Sequence, residues 1–118
     1  MRATDALGEY GERVAERHLT DAGMLILDRR WRCRHGEIDL IALDGPCLVV
    51  CEVKTRRSVA AGAALEAVTP AKLSRLHRLA AAWLAEQRRW FPQIRIDVVA
   101  VTVPRRGAPE VEHLRAVV

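Results

Sequence analysis

The sequence predicts an α/β domain in which a mixed β-sheet lies between helices. Two apolar runs flank Asp44-Gly45-Pro46, a combination typical of two strands joined by a tight reversal. A helical pattern precedes them, and a second helix is expected to begin at Thr69-Pro70, where a capping residue is followed by a first-turn proline. The β-branched run from Ile94 to Val103 predicts a further, central strand.

The elements are expected in the order α-β-β-β-α-β-β. The first helix is expected to end at Gly23, and a strand to start over Met24–Leu27. The segment Asp28–His35, with four arginines around one tryptophan, is expected to be either a solvated loop or a phosphate-binding segment. The remaining predicted elements are strands over Glu37–Leu43 and Leu48–Thr55, the helix from Thr69-Pro70, the strand Ile94–Val103 and a last edge strand over Val111–Val118.

Length and composition restrict the class of protein. The 118 residues predict one domain, residues 1–118, and half of them are hydrophobic. The net charge of +4 favours polyanionic partners, although an arginine-rich surface explains the charge equally well. Cys33, Cys47 and Cys51 lack metal-ligand spacing and predict reduced thiols in a cytoplasmic protein, with Cys47 and Cys51 in the core. No signal peptide and no run of about 18 apolar residues is seen, so no membrane partner is expected.

Charged residues interrupt the two apolar runs beside the reversal. Asp39 lies between Ile38 and Leu40, and Glu52 and Lys54 lie in the next run. Alternate residues of a strand share a face, so Glu52 and Lys54 are neighbours about 6.6 Å apart. Buried charges are normally paired or bound to metal. Two carboxylates and one ammonium on adjacent strands therefore predict a divalent-metal site, provided that Asp39 and Glu52 face the same side of the sheet.

This sequence pattern resembles one that is found in known nucleases. An Asp followed by Glu-x-Lys on the next strand is similar to the PD-(D/E)XK nuclease superfamily. Gly36-Glu37-Ile38-Asp39-Leu40-Ile41 with Glu52-Val53-Lys54-Thr55-Arg56 resembles the bacterial YraN family of proposed endonucleases, which are similar in fold to archaeal Holliday-junction resolvases. The resemblance runs from about Leu7 to the strand near Asp97 and implies a restriction-endonuclease-like domain.

The resemblance also implies roles for these residues. Asp39, Glu52 and Lys54 are the expected catalytic residues. Asp39 and Glu52, with the Val53 carbonyl, are expected to hold Mg²⁺ or Mn²⁺, and Lys54 to orient the attacking water or stabilise the charge on phosphorus.

Three further residues are candidates for auxiliary roles. Glu12 matches a first-helix acid of the family, within the pattern of Gly8, Gly11, Ala15 and Leu19. Lys72 stands in the first turn of the second helix, where a cation is unfavourable unless it faces an anion, and the family carries lysine there. Glu37 is either a support for the site or a surface acid.

The candidate nucleic-acid-binding residues are arginines: Arg30, Arg32, Arg34, Arg56 and Arg57. Their guanidinium groups match phosphate geometry. The family commonly has Asn where Arg30 stands, so no specific role is assigned to that position. Near the end of the chain, Asp97 is expected to pair with Arg95 or with the backbone, and His113 to be exposed.

We therefore expect a metal-dependent endonuclease acting on DNA, selective for branched or nicked structures, and a homodimer would suit symmetric junctions. The alternative is a nucleic-acid-binding module with a vestigial or regulatory nuclease site. A third interpretation, a structural protein with a buried Glu52–Lys54 pair, is the least favoured.

Overall fold

The elements follow the predicted order in a computed structural model, which describes residues 3–57 and 68–117. They are helix α1 (Ala3–Asp21), strands β1 (Leu25–Cys33), β2 (Gly36–Asp44) and β3 (Cys47–Arg56), helix α2 (Pro70–Ala85), and strands β4 (Gln93–Thr102) and β5 (Glu110–Leu114). The protein is thus the predicted α/β domain with a mixed sheet.

The five strands lie in the sheet in their chain order. Neighbours are antiparallel except β3 and β4, which run parallel from Cys47 opposite Gln93 to Arg56 opposite Thr102. Parallel neighbours need a crossover connection, and the connection between β3 and β4 includes α2. The Thr69 hydroxyl accepts a hydrogen bond from the Lys72 N–H and caps α2 where the sequence predicted.

Each helix covers one face of the sheet. Ala15 and Leu19 of α1 pack with one set of alternate strand residues, including Leu40 and Val49. The other set packs against Leu76 and Leu79 of α2 and includes Ile38, Ile41, Leu48 and Val50. Because both faces are covered, the central strands are apolar along most of their length, and the charges of the site lie where that cover ends.

Strand β1 continues through the arginine-rich segment, which was expected to be either a solvated loop or a phosphate-binding segment. It pairs with β2 from Leu25 opposite Leu43 to Cys33 opposite Gly36, with a register shift between Ile26 and Asp28. Trp31 packs on the α2 side of the core. The segment is a strand because its inward residues meet the core, while its arginines occupy exposed positions that tolerate charge.

The end of the chain corrects one prediction and confirms another. His113 was predicted to be exposed, but its side chain is only 7% exposed because Nε2 bonds the buried carboxylate of Asp97 at 2.8 Å. Asp97 also accepts hydrogen bonds from the Arg95 guanidinium and the Ala116 N–H, as predicted for arginine or backbone pairing. Strand β5 ends at Leu114, earlier than the predicted Val118, which lies outside the described residues.

The cysteines are free thiols, and Cys47 and Cys51 are buried as predicted. Within the described segments, neither helix combines the length and apolar character that crossing a membrane requires.

Candidate functional site

The site lies where β2 and β3 separate. Their recorded pairing ends at Leu40 opposite Cys51. Just beyond this pair, the Asp39 carboxylate accepts a hydrogen bond from the Val53 N–H, with Oδ2 and N 2.8 Å apart. A side-chain oxygen thus receives a strand N–H and fixes the Asp39 carboxylate in the gap between the strands.

The faces of β2 do not alternate as predicted around Asp39. Ile38 and Ile41 both pack on the α2 side although they are three residues apart. Asp39, which regular alternation would place on the same face as Ile41, lines a cavity together with residues of α1 and β1. Glu52 contacts Arg75 of α2 and also forms a side-chain hydrogen bond with Asp39, so the two carboxyl groups lie close together.

Strand β3 supplies the remaining predicted catalytic groups. Glu52 is 20% exposed and forms a salt bridge with Arg75 of α2, with Oε2 and Nη2 3.4 Å apart. Lys54 is half-buried two residues further on and forms no salt bridge with the described residues. A buried Glu52–Lys54 pair, the least favoured interpretation, is therefore not what the structure contains. The Val53 carbonyl faces the same gap as its N–H, since both groups of a strand residue point towards one neighbour.

Helix α1 brings Glu12 to this gap. The backbone of Gly11 lies against Thr55 of β3 so closely that an added Cβ would overlap the threonine side chain. This contact explains why a poor helix former stands inside α1. The next residue, Glu12, is 25% exposed and close enough for its charge to affect Asp39.

The neighbouring acids perturb Asp39. Burial, together with the negative charges of Glu52 and Glu12 and a side-chain hydrogen bond with Glu52, raises the pKa of Asp39 to about 8, although the hydrogen bond from Val53 opposes the shift. A carboxyl group in this setting either keeps its proton or needs a nearby cation. Perturbed carboxyl groups of this kind are candidates for functional sites.

The donor chemistry suits a hard divalent cation. Carboxylate and carbonyl oxygens are the ligands that Mg²⁺ takes, and Mg²⁺ is commonly held by one or two carboxylates together with substrate phosphates. No three His, Cys, Asp or Glu side chains of residues 3–57 and 68–117 form a ready-made ligand set. Asp39 and Glu52 are therefore the candidates for the protein ligands of such an ion.

The predicted nucleic-acid-binding arginines of β1 already have partners. Arg30 donates from Nε to Glu12 at 2.7 Å and from Nη1 to Glu9 at 3.4 Å. Arg32 and Glu37 form a weaker, more exposed contact of 3.6 Å between Nε and Oε1.

The other three predicted arginines lie at strand ends. Arg34 Nε lies 3.4 Å from His35 Nε2 in the turn that follows β1, Arg56 ends β3, and Arg57 is exposed just beyond it. Arg34 and Arg57 are therefore the candidates most accessible to a phosphate backbone.

Helix α2 contributes a residue that the sequence did not single out. Arg75 contacts Glu52, and its aliphatic chain lies over Gly36. Lys72, the predicted auxiliary residue, is half-buried in the first turn, and no described salt bridge joins it to the carboxylates. The spacing of Lys72 and Arg75, about one helical turn, is the signal that could have placed both on one side of α2.

The fold and this site define a class of protein: an α/β domain with a mixed sheet whose carboxylates meet where two antiparallel strands separate. The profile of a family described as "Uncharacterised protein family UPF0102" matches residues 11–101. The chain belongs to this family, in agreement with its resemblance to YraN proteins.

Similar relatives come from several bacteria and share almost their whole length with this chain. A UPF0102 protein of Kineococcus radiotolerans is 65% identical over 118 residues, covering 99% of this chain and 97% of the relative. A UPF0102 protein of Arthrobacter sp. is 56% identical and covers 99% of each chain. A third, from Streptomyces griseus subsp. griseus, is 54% identical with the same coverage.

Proposed function

We propose that this protein is a metal-dependent endonuclease of the PD-(D/E)XK type that hydrolyses phosphodiester bonds of DNA, with a preference for branched or nicked structures. The observation that carries the proposal is the Asp39 carboxylate, fixed by Val53 in the gap between β2 and β3 and close to Glu52. Lys54 follows on the same strand. The proposal includes a cytoplasmic location and a homodimer on symmetric DNA.

Each residue would have a defined task. Asp39 and Glu52, with the Val53 carbonyl, would hold Mg²⁺ or Mn²⁺. Such an ion, when bound, lowers the pKa of a water and neutralises charge that develops on phosphate. The Lys54 ammonium would orient the attacking water and offer hydrogen bonds to the phosphate oxygens. The exposed guanidinium of Arg57 would contact the DNA backbone, which positions the nucleic acid without reading its sequence.

The use of lysine in this chain supports a special role for Lys54 and Lys72. Of the 19 lysine and arginine residues, these two alone are lysines. Arginine and lysine differ in chemistry, since lysine carries a compact charge with three donors and arginine a planar fork. A chain that otherwise uses arginine thus places lysine at two positions, one beside the carboxylates and one at the start of α2.

A cleavage assay on a panel of DNA structures tests the proposal. Purified protein is incubated with labelled four-way junction, nicked duplex, intact duplex and single-stranded DNA, each with Mg²⁺, with Mn²⁺ and with EDTA. We expect metal-dependent cleavage, greatest on the junction or the nicked duplex. Glu52→Gln should abolish it, whereas Glu110→Gln, the same change at an exposed acid of β5, should not.

DNA cleavage, and not the salt dependence of DNA binding, separates this proposal from the alternative of a binding module. Both proteins would bind with an affinity that falls linearly with salt on logarithmic axes, because bound cations are released from DNA. Cleavage distinguishes them. If wild-type protein binds junctions in this way but cleaves no substrate of the panel with either metal, the binding-module interpretation replaces the endonuclease.

A further inference from the structure

Arg30 occupies a special place beside the candidate site. Its backbone has φ of 49°, an uncommon left-handed conformation for a residue other than glycine. Its guanidinium faces α1, where Nε bonds Glu12 at 2.7 Å and Nη1 bonds Glu9 at 3.4 Å. Arg30 and the two glutamates line both a cavity of about 290 Å³ that includes Asp39 and an adjoining one of about 550 Å³. The ion pair thus lies between the carboxylates and an open polar surface.

The neighbouring arginine forms a similar ion pair, which also lines the cavity of about 290 Å³ but not the adjoining one. Arg29 binds both oxygens of Glu16, and its Nη2 lies 2.8 Å from Oε2. The hydrogen bonds from Arg29 lower the pKa of Glu16. Glu12 is one of the charges that raise the pKa of Asp39, whereas Glu16 is not. Of these two ion pairs, only the one between Arg30 and Glu12 neutralises an acid that acts on the site.

We propose that Arg30 is a counter-ion that DNA displaces: it holds Glu12 in the free protein and moves to a backbone phosphate when DNA enters the cleft, which leaves Glu12 available to the metal. This inference rests on the proposed endonuclease function. Arg30 forms charge-assisted hydrogen bonds of the same kind with carboxylate and with phosphate, so the exchange keeps its donors satisfied. With its side chain 42% exposed, Arg30 can be reached by DNA.

Cooperative binding of metal and DNA follows from this exchange. In the free protein, the Arg30 charge beside Glu12 opposes a cation and occupies a ligand oxygen. DNA relieves both effects, so DNA should tighten metal binding, and by linkage the metal should tighten DNA binding by the same factor.

Calorimetric titration with Mn²⁺ tests this inference without measuring catalysis. The full chain is titrated alone and in complex with cleavage-resistant phosphorothioate junction DNA. We expect DNA to tighten Mn²⁺ binding to wild-type protein about tenfold, within the usual range of such couplings. Arg30→Asn should bind Mn²⁺ more tightly than wild type does without DNA, and DNA should tighten its Mn²⁺ binding by only about threefold or less, because phosphate oxygens still contribute but no arginine has to leave Glu12. Asn is chosen because it tolerates the left-handed backbone.

The matched control is Arg29→Asn, which removes the adjacent arginine and its pair with Glu16. It should retain the wild-type coupling between DNA and Mn²⁺. The inference is overturned if Arg30→Asn keeps that coupling, or if Arg29→Asn loses it equally, while junction cleavage by wild type would still support the endonuclease. Absence of both Mn²⁺ binding and cleavage in wild type, with and without DNA, overturns the endonuclease proposal and this inference together.

Discussion

Replacing Asp39 with asparagine should stabilise the metal-free protein while abolishing cleavage. The substitution removes a charge from a poorly solvated gap that Glu52 and Glu12 also face, yet the amide oxygen can still accept the Val53 N–H. The shape of the side chain and its one hydrogen bond to the backbone are thus preserved. What changes is the cost of placing a negative charge there.

The pKa of Asp39 gives the size and the pH dependence of this effect. A carboxyl whose pKa rises from 3.8 to about 8 on folding binds its proton more tightly in the folded state, so wild-type stability falls as pH rises through that window. The full displacement corresponds to a ceiling of roughly 6 kcal/mol at pH 8. Water and side-chain relaxation reduce such penalties, so we expect Asp39→Asn to gain about 1–3 kcal/mol there.

Thermal melting with and without Mg²⁺ measures the prediction. At pH 8 without metal, the variant should melt about 4–10 °C above wild type, and the difference should vanish towards pH 4. Mg²⁺ should raise the melting temperature of wild type and leave that of the variant nearly unchanged, because a ligand stabilises only the state that binds it.

Asp97→Asn is the control for the stability change, since Asp97 is also a buried aspartate but one that is satisfied by donors. It should lower the melting temperature under the same conditions. If Asp39→Asn lowers the melting temperature as Asp97→Asn does, Asp39 is a structural carboxylate and the reasoning about a repulsive site is wrong. The same conclusion follows if wild-type stability does not change between pH 4 and pH 8.

Three further predictions concern the framework around the site. Gly11→Ala should lower the free energy of unfolding, measured with denaturant, by about 1–3 kcal/mol because its methyl group would overlap Thr55. Gly8→Ala, in open space on the same helix, should raise it by about 0.5–1 kcal/mol, and equal effects would refute the close approach of α1 to β3. Asp97→Asn should cost about 1.5–3 kcal/mol at pH 7 because it removes the charged acceptor of Arg95 and His113, although Arg95 keeps its salt bridge with Asp44. Burial opposes ionisation of Asp97, but hydrogen bonds from Arg95, the Ala116 N–H and His113 outweigh it and lower the pKa of Asp97. The ionised carboxylate therefore stabilises the protein above about pH 4. Melting curves should show that the loss of stability in Asp97→Asn becomes smaller in more acidic buffer. Burial raises the pKa of the Cys51 thiol, so Cys51 should be alkylated only on unfolding; rapid labelling of native protein, read by mass spectrometry, would contradict its place in the core.

Local signals were sufficient for much of the fold. The reversal at Asp44-Gly45-Pro46 and the cap at Thr69 act within a few residues, so the hairpin and the start of α2 could be predicted from sequence. The arginine-rich half of β1 was not predicted as a strand, although Trp31 and Cys33 alternate with arginines as in a half-buried strand. That half pairs with β2 as far as Cys33 opposite Gly36.

The position of the side chains around the site depends on contacts between distant elements. Asp39 and Glu52 could be found from sequence because charges stand out in apolar strands. The salt bridge from Arg75 to Glu52 joins residues 23 apart, and the contact of His113 with Asp97 joins neighbouring strands. Neither leaves a local pattern, so one arginine was missed and one histidine was expected to be exposed.

At Arg30, the backbone conformation and the charge of the side chain are two separate properties of the position. A φ of 49° is a conformation that Asn tolerates better than most residues. In this chain, Arg30 adopts the left-handed conformation although it is unfavourable for arginine, and its charged guanidinium donates a hydrogen bond to Glu12. Because the conformation and the charge are separable, Arg30→Asn removes the charge while retaining a residue suited to the backbone.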